Sequence, residues 1–208
     1  MQRRAVGNED SWLLSYADLI TNLLLFFVVL LTAAHMNKAR MQQIVKSISG
    51  ADNPASLEAI REKIDAQIAK QHLQDLVATT ISEDGLEVSL NSGLVFDSGK
   101  ARIRPEVEQT VATMLQALVP YTEKYNFAVE GHTDTTPIAP GGVFATNWEL
   151  SSARAIVVRQ RLEDVGIVRK RIRVEGYADT KPLPEEQIKG LSLEERLARH
   201  RRVVVRIF

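Results

Sequence analysis

The chain has 208 residues, and its 26 Lys and Arg are balanced by 26 Asp and Glu, so the formal net charge is zero. That balance gives no bulk electrostatic pull toward nucleic acid. The absence of cysteine excludes disulfide scaffolds, cysteine nucleophiles and thiolate metal sites, and the length suits one medium domain with additional segments.

The first predicted element is a membrane helix over residues 12–34. From Trp12 to Ala34 there is no Lys, Arg or Glu, and Asp18 is the only acid. At about 1.5 Å per residue this stretch is ~34 Å long, enough to cross a ~30 Å hydrocarbon core with some tilt. A secretory signal, with Arg3 and Arg4 as its basic region, is the rival reading. The apolar stretch exceeds the roughly 7–15 residues of a signal core and carries Asp18, which favours an uncleaved anchor. Arg3 and Arg4 on one flank against Lys38, Arg40 and Lys46 on the other leave its orientation undetermined by charge.

An aspartate inside such a helix costs roughly 2.5–3.5 kcal/mol on insertion scales, so it is expected to serve function. Ser11, Ser15, Asp18 and Asn22 recur at helical spacing on one face, with Thr21 beside them. A polar stripe on a lipophilic helix points to protein or a water path. Asp18 reads as an ion-binding carboxyl; Ser15, Thr21 and Asn22 read either as support for that pathway or as polar glue between helices.

Residues 35–70 are polar and helix-prone. Met41, Ile44, Val45 and Ile48 form one narrow apolar stripe, and Leu57, Ile60, Ile64 and Ile68 a second. Ser56 is a candidate N-cap. A regulatory segment with a tether, and two ordinary helices packing on their own domain, are equally compatible with this pattern.

An α/β domain follows. Strands are expected over 85–90, 127–134, 171–179 and 201–208, and helices over 103–121, 147–166 and 191–200. The alternation implies a mixed β-sheet with helices packed on one face. Two stretches echo each other: "VEGHTDTTPI" from 129 and "VEGYADTKPL" from 174. They read as two equivalent strand-to-loop corners, where ligand sites commonly lie. His132 and Asp134 are a weak metal candidate, since the four histidines form no ligand-spaced pair. Ser151 reads as a helix cap. No phosphate loop or nucleophile elbow is present, so no enzyme is expected. Asp134 after a strand and Arg154 early in the next helix could together grip a zwitterion, or simply pair with each other at the surface.

The motifs "GHTD", "NWELSSARA", "RIRVEGYAD" and "RHRRVVVRIF" resemble the OmpA-like peptidoglycan-binding domain over about residues 85–208. "SWLLSYADLITNLLLFFVVLL" resembles the transmembrane helix of the B subunit of bacterial flagellar stators, the MotB/PomB family, and "LVFDSGKARIRPE" is also similar to that family. The resemblance implies a cytoplasmic N-terminus (1–11), a transmembrane helix (12–34), a plug and periplasmic tether (35–70) and an OmpA-like domain (71–208). It implies a homodimer in the inner membrane, a polytopic MotA-like A subunit as partner, and a C-terminal domain in the periplasm. Asp18 would carry H⁺ or Na⁺, with no other cofactor. Asp134, Asn147, Arg154 and Arg202 would bind peptidoglycan, and Met41, Ile44, Val45 and Ile48 would form the plug. A MotB-like subunit of a Zorya-type phage-defence motor and a plain membrane-to-wall tether are the alternatives. The sequence departs from the family pattern at Asn22, at His200 where an Asn is usual, and in its short tether.

Overall fold

A computed structural model describes residues 11–34 and 56–208. The expected plug residues Met41, Ile44, Val45 and Ile48 lie outside the described residues. The chain divides into two units, Met1–Asp52 and Asn53–Phe208.

In the first unit, helix α1 covers Ser11–Ala34. Within it Trp12–Leu30 is long and apolar enough to cross a membrane, because the apolar residues around the Ser15, Asp18 and Asn22 stripe are followed by an unbroken run of Leu, Phe and Val over 23–31.

The second unit begins with helix α2 (Leu57–Lys70), capped by Ser56, whose hydroxyl accepts from Ala59 N at 3.2 Å. Its Ile60, Ile64 and Ile68 are buried in the main core. The segment 57–70 is therefore part of the folded domain and not tether, and the compact unit starts ahead of the expected boundary at residue 71. Three isoleucines at i, i+4 and i+8 make one continuous stripe, which water disfavours and a sheet covers.

Strands β1 (Val77–Ser82) and β2 (Gly85–Asn91) form a hairpin. A short helix α3 (Ser92–Val95) leads to helix α4 (Pro105–Gln116), which starts with Pro at its first position. Strand β3 (Phe127–His132), helix α5 (Asn147–Asp164) and strand β4 (Ile172–Ala178) form a β-α-β unit, the crossover connection that a parallel pair requires. Gly166, with φ of +108°, ends α5 in the position that favours glycine. Short helices α6 (Glu185–Ile188) and α7 (Leu193–His200) precede strand β5 (Arg202–Ile207).

The sheet order is β1-β2-β5-β3-β4, with only β3 and β4 parallel. Strand β1 was not expected: its inward positions Val77, Thr79 and Ile81 do alternate with exposed ones, but Ala78 and Thr79 blur that alternation in the sequence. The expected helix 103–121 closes at Gln116 and continues as a separate 3-10 turn over Val119–Tyr121.

One sheet face carries Leu86, Val88, Leu90, Phe127, Val129, Val203, Val205 and Ile207, which pack with α2, α4 and α5. The other face is charged and partly covered. Glu130 and His132 are buried there, Arg206 pairs with Glu130 at 2.5 Å, and α6 and α7 border it next to Val204.

The internal echo acquires a physical cause in this packing. Gly131 and Gly176 are register partners on β3 and β4. A Cβ at Gly131 would lie 2.0 Å from Ser151 O, and one at Gly176 would lie 2.1 Å from Ser152 Oγ. Both strands need glycine there because the first turns of α5 rest directly on the backbone.

Candidate functional site

The loop after β3 builds a cleft of about 760 Å³, lined among others by Phe96, Lys100, Arg104, Asp134, Asn147, Arg154 and Arg201. This is the size range of a small-ligand site.

Asp134 is held in place by its surroundings. Its Oδ1 accepts from Thr136 N at 3.1 Å, and its Oδ2 accepts from Arg201 Nη1 at 2.6 Å. Asn147, the first residue of α5, donates to Thr136 O at 3.0 Å and to Asp134 O at 3.4 Å, pinning the loop to the helix start. Thr146 caps that helix, accepting from Glu149 N at 3.2 Å. Ser151 is therefore not the cap. It lies inside α5, where its hydroxyl donates to Trp148 O (3.0 Å) and accepts from Ala178 N (3.2 Å), tying the helix to the end of β4.

Arg154 sits two turns along α5, and its side chain is buried. Its Nε donates to Lys100 O at 2.9 Å, Nη1 to Ser92 Oγ at 3.1 Å and Nη2 to Asp97 O at 3.1 Å. The guanidinium also stacks over Phe96, 5.1 Å from the ring centroid. Burial first, and then the Arg201 charge, lower its pKa to about 10 against the opposing pull of Asp134. Asp134 and Arg154 thus share one cleft without spending their charges on each other: the carboxylate pairs with Arg201, and the guanidinium organises the 92–100 segment.

The expected site residues Asp134, Asn147 and Arg154 come together here; Arg202 does not. Arg202 opens β5 opposite His132, and its guanidinium donates to Lys181 O at 3.1 Å and His200 O at 3.3 Å. Strand alternation places it away from Asp134, and Arg201, one residue earlier, takes the place expected of it. Burial lowers the pKa of Arg202 to about 10. His132 also departs from Asp134: it stacks on Tyr177 at 5.4 Å between centroids and lies 3.6 Å from Glu130. Burial, aided by Arg202 and opposed by Glu130, holds its imidazole below the usual range.

Four residues of the cleft were missed from sequence: Arg201, Lys100, Arg104 and Thr133, whose buried hydroxyl has no hydrogen-bond partner. The pair Arg201–Arg202 left the choice between neighbours to strand phase. Lys100 and Arg104 sit inside "LVFDSGKARIRPE", a stretch whose resemblance to the family singles out neither residue. Lys100 and Arg104 both pair with Asp97, at 3.4 and 3.1 Å, so the four cations of the cleft meet two carboxylates, Asp97 and Asp134, and the remaining positive balance suits a ligand with carboxylates.

In α1, Asn22 Nδ2 donates to Asp18 Oδ1 at 3.3 Å and Thr21 Oγ1 donates to Asp18 O at 2.9 Å. Ser15, Asp18 and Asn22 share one face of the helix, as their spacing requires.

Residues 2–51 match the family model described as membrane MotB of the proton-channel complex MotA/MotB, and residues 95–190 match that of the OmpA family. The chain is similar to Motility protein B of Bacillus subtilis, 26% identical over 219 residues that cover 84% of this chain and 83% of that protein. It is also similar to the cell wall anchor of the T6SS from Pseudomonas aeruginosa, with a TM-score of 0.59 and 30% identity over 71% of this chain and 98% of that one. The periplasmic domain of Helicobacter pylori MotB has a like fold, with a TM-score of 0.54 and 22% identity over 63% of this chain and 80% of that one.

Proposed function

The chain is a MotB-family protein with an OmpA-like domain, and from that premise we propose that it is the B subunit of an ion-driven flagellar stator. Its role is stator-like or peptidoglycan-anchoring, in a family of scaffold and anchor proteins rather than catalysts. One apolar N-terminal helix ahead of an OmpA-like domain fits a single-pass membrane protein with a periplasmic C-terminal domain.

In the proposed mechanism α1 crosses the inner membrane beside a polytopic A subunit, and two copies of this chain form the central pair. Asp18 binds H⁺ or Na⁺ and releases it on the other side. One elementary charge crossing ~100 mV releases about 2.3 kcal/mol, similar to the cost of placing a charged aspartate in the membrane. A carboxyl that is neutral when loaded and costly when empty can therefore be switched by one ion per step.

The cleft supplies the fixed end. Stem peptides of peptidoglycan carry a free amine and free carboxylates. Asp134 would pair the amine, while Arg201, Lys100 and Arg104 face the carboxylates. Asn147 and Arg154 hold the two walls of the cleft in place. The observation that carries the reading is this acid-and-cation cleft in an OmpA-like domain behind an aspartate-bearing apolar helix.

The test is co-sedimentation of the full-length chain in detergent with purified peptidoglycan sacculi. Asp134→Asn is expected to lower the affinity about tenfold, the loss of one charge-assisted contact, and Arg202→Ala to leave it unchanged. Equal binding by wild type and Asp134→Asn would remove the cleft from the function. The likeness to a cell wall anchor favours a second reading, anchoring without a motor, which predicts intact sacculus binding and no effect of Asp18→Asn in cells.

A further inference from the structure

We infer that Asn22 is a positioning residue for Asp18: its amide fixes one carboxylate oxygen so that the other receives the ion. This rests on, and deepens, the reading of Asp18 as the ion carrier.

The geometry is local. Asn22 lies one helical turn beyond Asp18, and its Nδ2 donates to Asp18 Oδ1 at 3.3 Å. Thr21, on the same turn, spends its hydroxyl on the Asp18 backbone carbonyl instead. Asn22 thus reaches the carboxylate from the next turn of the same face. An ionised carboxylate can only accept, so the NH₂ end of the amide must face it. An N–H cannot ligate a cation, and while it holds Oδ1, a proton or metal ion loads at Oδ2.

Two consequences follow from the chemistry. The hydrogen bond limits rotation of a side chain that would otherwise sample several rotamers, so the free oxygen is presented in one direction. It is also charge-assisted only while Asp18 is empty, and in a low-dielectric helix bundle that matters most at the costliest moment of the cycle. Asn22 therefore offsets the expense of the empty carboxylate between release of one ion and capture of the next.

The test uses tethered-cell rotation in a strain lacking the chromosomal gene and carrying the full-length chain, with abundance checked by blot. Asn22→Leu has nearly the same shape but no donor; Asn22→Gln is one methylene longer and keeps it. Positioning by hydrogen bond predicts that Asn22→Leu rotates about tenfold slower while Asn22→Gln stays close to wild type. A packing role predicts the reverse order, and that order, normal rotation of Asn22→Leu, or equal failure of both variants overturns the inference. Asp18→Asn is run in parallel to separate the two levels. If it rotates normally, the carrier reading has failed; if it stops while Asn22→Leu rotates normally, only the role of Asn22 has.

Discussion

Replacing Arg154 with Lys keeps the charge and most of the length, yet should damage the cleft severely. The guanidinium of Arg154 reaches three oxygens, from Lys100, Ser92 and Asp97, at 2.9–3.1 Å. A lysine ammonium on a single-point stem cannot meet all three in that plane. With one contact kept, two largely buried acceptors lose their donor at about 1–3 kcal/mol each, so the loss is ~2–6 kcal/mol. For a domain of this size each kcal/mol shifts Tm by roughly 2–4 °C, which gives a fall of about 4–24 °C. The assay is thermal unfolding of the full chain in detergent, followed by the tertiary signal of the aromatic residues, with sacculus binding measured at a temperature where both forms are folded. A change of less than about 1 °C with normal binding would refute the reasoning, because Arg154 would then not be holding the 92–100 wall.

Three further outcomes are expected. Gly131→Ala should fail to fold or lose more than about 3 kcal/mol, since its Cβ would lie 2.0 Å from backbone at Ser151; Gly99→Ala, at φ of +66° with open space around it, should lose only ~1–2 kcal/mol, and equal Tm values for the two variants would contradict the packing of α5 on β3. Ile64→Ala should cost about 2–5 kcal/mol, and residues 71–208, which lack α2, should not unfold cooperatively; unchanged melting in either case would return α2 to the tether. Stability should fall on acidification: His132 has a folded pKa below its ordinary 6.5, first because of burial, then through Arg202 and Lys181 against Glu130, so the unfolded state binds its proton first. The stabilisation is complete above pH ~6.5 and is lost as pH falls from there through the folded value, with His200 contributing in the same sense. Tm measured at pH 7.5, 6 and 5 should show the decline, and His132→Phe, which can still stack on Tyr177, should flatten it.

Much of the fold could be read from the chain because single-element patterns were strong. The apolar run of α1, the proline at the start of α4 and the glycine ending α5 each have a local cause. The echo around Gly131 and Gly176 was visible as repetition, but its reason, helix α5 lying on two paired glycines, is a tertiary fact. Strand β1 escaped because its inward positions, Val77, Thr79 and Ile81, include a threonine and its outward ones an alanine, so the alternation in burial is blurred in hydrophobicity. Helix α2 was visible as a helix; whether its isoleucine stripe met a sheet or a partner was decided by packing that local pattern does not encode. In the cleft, Asp134, Asn147 and Arg154 carried motif signals, while Arg201 was displaced by its neighbour Arg202. Two adjacent arginines at a strand start differ only in which face they take, and that phase is set by pairing of His132 with Arg202.

The central claim is that Asp18 does work for a motor held by the C-terminal domain. The most direct measurement is the rotation speed of tethered cells of a deletion strain complemented with wild type or Asp18→Asn at equal abundance. Restored rotation with wild type and none with Asp18→Asn is the expected result. Rotation by Asp18→Asn at wild-type speed would contradict it, whatever the domain binds.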